Sequence, residues 1–288
     1  MRERLIEALL FAAALSAVLI TAAIVVILLR ESSTFFAHVS LREFLTGREW
    51  TPLFENPKYG IAPLVAGTVT TSLVALLVAV PLGTVMAIYL SEFARPRVRE
   101  VVKPLLELIS GVPTVVFGYF ALLFVTPMLQ KIVPGLPGFN MLGPGIVIGI
   151  MIVPYVSSLS EDAMRAVPMH LREASYAMGA SRFQTAARVV APAALSGIVA
   201  SYILGISRAV GETMVVAIAA GQQPTLTLDP TEAAATITAY IVQVAMGDLP
   251  HGSIGYQSIF AAGLTLFAMT LAFNLIGHWV RKRYREAY

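Results

Sequence analysis

The sequence predicts an all-α integral membrane protein with six transmembrane helices and both termini on the cytoplasmic side. Three observations lead there: a surplus of apolar residues over charge, six long runs almost free of charge, and an uneven distribution of Lys and Arg among the connecting segments. Hydrophobic residues occupy 57% of the 288 positions and charged residues 13%, too few charges to coat a soluble globule of this size. There are no cysteines, which removes disulfides, thiol chemistry and cysteine-based metal sites. The net charge of +3 is small and sorted by side of the membrane, so it bears on orientation and not on nucleic-acid binding.

The six runs lie at 8–29, 61–91, 108–130, 132–160, 189–228 and 252–280, each long enough for the roughly 20 residues that cross a ~30 Å hydrocarbon core. The first follows Arg2 and Arg4 and contains small residues, as a secretory signal does, but its apolar core is too long for one that is cleaved. Between the first two runs, Ser40 and Glu43 form a capping box before a short segment closed by Gly47, which predicts a small surface helix. Trp50 and Tyr59 are placed at the membrane interface, in a structural role. Pro81 and Pro113 either kink their helices around a path or simply pack. The fifth run is interrupted by Arg208 and Glu212.

Of the twenty Lys and Arg residues, fourteen fall at the N-terminus, in the second and fourth connecting segments and in the C-terminal tail, which carries Arg281, Lys282, Arg283 and Arg285. Five fall in the other loops, and 221–252 has none. Basic residues are retained in the cytoplasm, so the fourth segment is cytoplasmic. It contains EASYAMGASRFQTAARVVAP at 173–192, a polar island with the signals of two short helices. Pro168 suits a first turn, Gly179 a position just past a helix end, and Ser181 with Gln184 a second capping box. A docking element follows. A DNA-binding helix-turn-helix fits poorly, because the element is tethered at both ends to membrane spans and its arginines are offset by Glu161, Asp162 and Glu173. The chain divides into an N-terminal helix and external segment, 1–62, and a core, 63–288, bearing the cytoplasmic loop 161–192.

Permeases of ATP-binding-cassette importers carry a loop reading Glu-Ala-Ala, three residues, Gly, nine residues, Ile, one residue, Leu-Pro. This chain resembles them at Glu173, Ala174 and Ser175, then Gly179, then Val189, Ala191 and Pro192, with Ser175, Val189 and Ala191 as the departures. The segments ISGVPTVVFGYFAL and SRAVGETMVVAIAAGQQP, with others spanning nearly the whole chain in order, resemble the phosphate-importer permeases of PstC type. The resemblance implies a type I importer permease fold in the plasma (inner) membrane of a prokaryote. It also implies phosphate transport, a second homologous permease, a cytoplasmic ATPase dimer that seats the loop in a cleft, and an external phosphate-binding protein. Glu173, Ala174, Ser175, Gly179 and Pro192 are then the ATPase-coupling residues.

A charge at the centre of a membrane helix costs roughly 2.5–3.5 kcal/mol on insertion scales, so Arg208 and Glu212 need a reason. Spaced four apart, they can share a helical face and pair. The pair either neutralises an otherwise functionless helix, or Arg208 lines the substrate path and offers its fork of donors to a tetrahedral oxyanion while Glu212 holds it and keeps anion binding weak. Thr213, in the same segment, is assigned to the path with them. His38, His170, His251 and His278 are far apart, and no HExxH, phosphate-binding loop or nucleophile elbow occurs. Neither an enzyme nor a cofactor is expected, and ATP hydrolysis must occur on another chain. A permease for molybdate or sulfate, and an ATP-independent secondary transporter using Arg208 and Glu212 as a relay, are the competing readings.

Overall fold

The computed structural model describes residues 2–283, with side chains from residue 4 onward. Arg285, counted with the basic tail, lies outside them. Twelve helices are found among the described residues, and the first, α1 (Arg2–Phe36), is apolar around its whole circumference and almost entirely exposed, as expected of a helix whose solvent is lipid. It packs along α12 (Ile254–Arg283). The small helix α2 (Leu41–Thr46) is capped by Ser40, whose hydroxyl accepts from Glu43 N at 3.2 Å, and is closed by Gly47, as the sequence predicts, but the Glu43 side chain does not make the return bond that would complete the capping box.

The centre is built on α3 (Ala62–Ile88), extended through a π-helical turn to Phe93, packed along α6 (Leu142–Arg165). Small residues let the two backbones approach. A Cβ on Gly149 would lie 2.7 Å from the Ala75 carbonyl oxygen, and one on Gly145 2.7 Å from Val74. Gly145 and Gly149 form a GxxxG pair, the arrangement that favours close helix crossing where lipid supplies no hydrophobic drive. Pro81 lies within α3, which continues through it as one helix.

The third run is bent. Residues 96–110 form an amphipathic helix, α4 (Pro96–Ser110), which the sequence reading did not separate, and α5 (Thr114–Gln130) leaves it at 87°. Pro113 stands at this corner as the N-cap of α5, where its missing N–H costs nothing. The fourth run starts ten residues late: 131–141 is loop, and Asn140 Oδ1 accepts from Gly143 N at 2.8 Å where α6 begins. Apolar composition alone cannot distinguish a loop rich in Gly, Pro and apolar residues from a span.

The fifth run departs furthest from expectation. After the hairpin of α7 (Met169–Ala177) and α8 (Arg182–Ala193), the chain turns by 73° into α9 (Leu195–Val210), breaks at residues 211–213, and resumes as α10 (Met214–Ala219). The segment read as loop, 221–252, contains a buried helix, α11 (Ile237–Ala245), capped by Thr236. Among the described residues, four helices are long and apolar enough to cross a membrane, and six if each bent pair counts as one span.

Trp50 and Tyr59 have a structural role, packed inside the protein and not turned out to lipid headgroups. They pair across an antiparallel bridge and are 1% and 7% exposed, stacked edge-to-face among Phe35, Phe44 and Tyr240. Burial pushes the Tyr59 phenol above its ordinary pKa. This aromatic core ties the α1–α3 connection to α11 and α12 at one end of the bundle. A second core of Met164, Val167, Val190 and Ile198 lies at the other end, under the α7–α8 hairpin.

Candidate coupling hairpin and substrate path

The α7–α8 hairpin follows its local sequence closely. Pro168 takes the N-cap of α7, one place before the first turn. At the other end Ala180 N donates to Ser175 O at 3.2 Å and Gly179 N to Tyr176 O at 2.9 Å. This paired closure needs a left-handed residue after the cap, and Gly179 supplies it with φ +81°. The capping box forms as predicted, Ser181 N donating to Gln184 Oε1 at 2.8 Å and Gln184 N to Ser181 Oγ at 3.3 Å. Ser175 and Thr185 hydroxyls meet at 2.9 Å and brace the two helices. Glu173, Ala174, Gly179 and Pro192 are exposed, and at the turn so are Met178 (88%) and Phe183 (70%).

What holds the hairpin to the membrane helices was not legible. Arg172, counted in the sequence only as a cytoplasmic charge, is buried. Its Nη2 and Nε donate to Glu92 at 2.9 and 3.2 Å, while Nη1 and Nη2 donate to the carbonyls of Val167 and Met164 at 2.6 and 2.8 Å. One guanidinium thus joins α7, the end of α6 and the π-turn that ends α3. Glu161, fully buried, is the centre of a second ionic cluster: Arg99 Nε lies 2.6 Å and Lys103 Nζ 3.0 Å away, and Lys103 also reaches Asp162 at 2.7 Å. It fixes α4 to α6. Both pairs connect residues 58 to 80 apart in sequence, so no local pattern announces them.

The predicted path residues lie about 20 Å along α9 from the hairpin at its helical rise. Arg208 and Glu212 do not pair, and this corrects the expectation that they share a helical face. Helix α9 stops at Val210, so the four-residue spacing no longer sets their geometry. The Arg208 guanidinium lies over the Tyr155 ring of α6, 4.5 Å from its centroid, and its buried Nε has no hydrogen-bond partner. Glu212 is buried and turns the other way. Its Oε1 accepts from Met214 N at 3.1 Å and Val215 N at 3.4 Å, capping α10, while Thr238 Oγ1 donates to its carbonyl at 2.7 Å. The Thr213 hydroxyl donates back to Gly211 O at 3.3 Å.

A break in a helix at membrane depth frees backbone groups, and such breaks persist where they are buried in protein or line a cavity. Here the Glu212 carboxylate satisfies the N–H groups of α10, favourably placed at the positive end of the helix. The cation left over at the break is Arg208. Beyond α10 the chain turns at 221–224, with Gly221 at φ +98° and Gln222 at φ +51°, the Gln222 amide donating to Ala217 O at 2.7 Å. Tyr155 and Thr238 are site residues that sequence reasoning missed, since each comes from another helix. Among the described residues no group of His, Asp and Glu is arranged to hold a metal ion.

A family model described as "Binding-protein-dependent transport system inner membrane component" matches residues 79–286. A protein named "Probable ABC transporter permease protein YqgH" from Bacillus subtilis is 36% identical over 245 residues, 85% of this chain and 79% of its own. The "Phosphate transport system permease protein PstC" of Mesorhizobium japonicum is 33% identical over 262 residues, 83% of this chain and 78% of its own. The crystal structure of "a bacterial ABC transporter involved in the import of the acidic polysaccharide alginate" superposes at TM-score 0.60 with 18% identity, over 92% of this chain and 96% of that chain, a likeness of fold. The chain belongs to the family of inner membrane components of binding-protein-dependent transport systems, and is a membrane permease and not an enzyme.

Proposed function

We infer that this chain is the permease subunit of an ATP-driven phosphate importer, forming part of the translocation path and coupling it to a cytoplasmic ATPase dimer. The observation that carries the reading is the 33% identity to the Mesorhizobium japonicum PstC over 83% of this chain. The geometry supports it at two places. The hairpin presents Met178 and Phe183 to solvent at a rigid turn, a form suited to a cleft in the ATPase. Arg208 stands beside the break in the fifth span.

In this reading the chain crosses the membrane six times with both termini cytoplasmic, supported by the Lys and Arg distribution. Residues 1–62 are an accessory helix and external segment, and 63–288 the permease core with the coupling loop 161–192. Glu173, Ala174, Ser175, Gly179 and Pro192 shape the hairpin that the ATPase grips. A second homologous permease completes the membrane unit. An external phosphate-binding protein delivers the anion. Arg208 meets it with a planar fork of donors, while Glu212, capping α10, and Thr213, bonded back to Gly211, shape the break beside it; a single cation there keeps the site from becoming a deep well, as passage requires.

The test is Arg208→Gln in the assembled importer. Phosphate uptake is expected to fall at least about tenfold, the effect of losing one charge-assisted hydrogen bond of about 1.5–3 kcal/mol, while ATP hydrolysis by the partner subunits persists. Uptake at the wild-type rate would remove Arg208 from the path.

A further inference from the structure

We propose that the cleft between α9 and α12, at the hairpin end of the bundle, is a binding site for an anionic phospholipid. Two hollows meet there. The outer one, about 430 Å³, is lined by Ser196, His278, Arg281 and Lys282. The inner one, about 280 Å³, shares His278 and Arg281 and continues between Ile203 and Leu204 of α9 and Gly277 of α12. A cationic mouth therefore opens into a furrow along the helices whose walls are apolar apart from Asn274. That is the shape of a headgroup with the start of an acyl chain.

The floor of the furrow is a close contact: Gly277 is buried where α12 meets α9, a Cβ there colliding with Ile203. Its rim faces lipid: Leu275, Ile276 and Trp279 are 61, 59 and 66% exposed. Trp279 with Lys282 also borders a hollow at the same level, and an exposed indole is favoured at headgroup depth. In the mouth Arg281 Nη2 donates to His278 Nδ1 at 3.1 Å, which steadies the guanidinium without neutralising it. Among the described residues no carboxylate lies within ion-pairing distance of Arg281 or Lys282. A phosphodiester complements the charge of this mouth, and basic pockets between membrane helices on the cytoplasmic side suit such headgroups. Free phosphate has the same anionic chemistry but cannot use the furrow, so the lipid is the occupant that fits both halves.

The experiment uses the full chain purified in detergent, with Arg281→Gln/Lys282→Gln as the variant. Both residues are exposed at a helix end, and equal melting temperatures establish that the variant is folded. Native mass spectrometry during titration with phosphatidylglycerol or phosphatidylcholine should show the wild type favouring phosphatidylglycerol. The double variant should lose that preference, by roughly fivefold for each charge removed. A second reading comes from Trp279, since Trp50, the other tryptophan in the chain, is buried in the aromatic core at the opposite end. Brominated phosphatidylglycerol should quench the wild type more than brominated phosphatidylcholine, and both lipids should quench the variant equally. Equal retention of the two lipids by the wild type, or an unchanged preference in the variant, overturns the proposal. Displacement of the bound lipid by millimolar inorganic phosphate also overturns it, in favour of a free-anion site.

Discussion

Glu212 shows how one buried carboxylate can be assigned the wrong partner from spacing alone. Four residues from Arg208, it has the register of a helical ion pair, yet it satisfies the N–H groups of α10 and leaves Arg208 to Tyr155. Residue type was legible: a cation and an anion in an apolar run announce a special place. Partnership was not, because it depends on where the helix stops. A prediction separates the cap from the charge. Glu212→Gln retains an acceptor oxygen and should assemble with little loss of stability, whereas Glu212→Ala leaves the buried Val215 N–H and the half-buried Met214 N–H unpaired and should cost about 1–2 kcal/mol. Thermal unfolding of the purified variants reads this. Equal losses in both would mean that the charge itself, and not the cap, stabilises the break.

Among the elements, the α7–α8 hairpin was the most legible because its signals are local. The cap at Ser181, the partner Gln184 and the left-handed Gly179 each act within a few residues, so sequence order is enough to specify them. Helices α4 and α11 were hidden for the opposite reason: one merges at a corner into an apolar run, and the other is a short buried helix inside a segment that looks like loop. The role of Gly179 yields a direct test. Nothing lies within 4 Å of where its Cβ would be, so a substitution meets a backbone cost and no clash. Gly179→Val should reshape the turn at a cost of about 1–2 kcal/mol and reduce co-purification of the ATPase, while Gly179→Asn should retain it because Asn tolerates the left-handed region. Full co-purification with Val would show that the turn geometry is not what the partner grips.

At the scale of the whole molecule, the hairpin and the membrane core are joined by ionic contacts that no single segment contains. Arg172 and Glu92 form a buried pair between α7 and the end of α3, placed to carry motion of the hairpin into the bundle as a rigid unit. Removing one member of such a pair strands the other, at roughly 3–5 kcal/mol. Arg172→Met should therefore destabilise far more than the double change Arg172→Met/Glu92→Gln, a coupling that a double-mutant cycle on unfolding measures. Additive losses would mean that the two side chains act independently. What the sequence by itself determined is what depends on composition, on a few neighbouring residues or on summed charge: the all-α membrane class, the hairpin with its caps, and the count of basic residues by loop from which an orientation is argued. Only the tertiary structure decided where the fifth run breaks, that Trp50 and Tyr59 are core, that Arg172 and Glu161 are buried ionic anchors, and that Arg208 and Glu212 part company. Each of these depends on groups brought together from distant segments, and the energy of a buried charge or ring is set by those neighbours and not by its place in the chain.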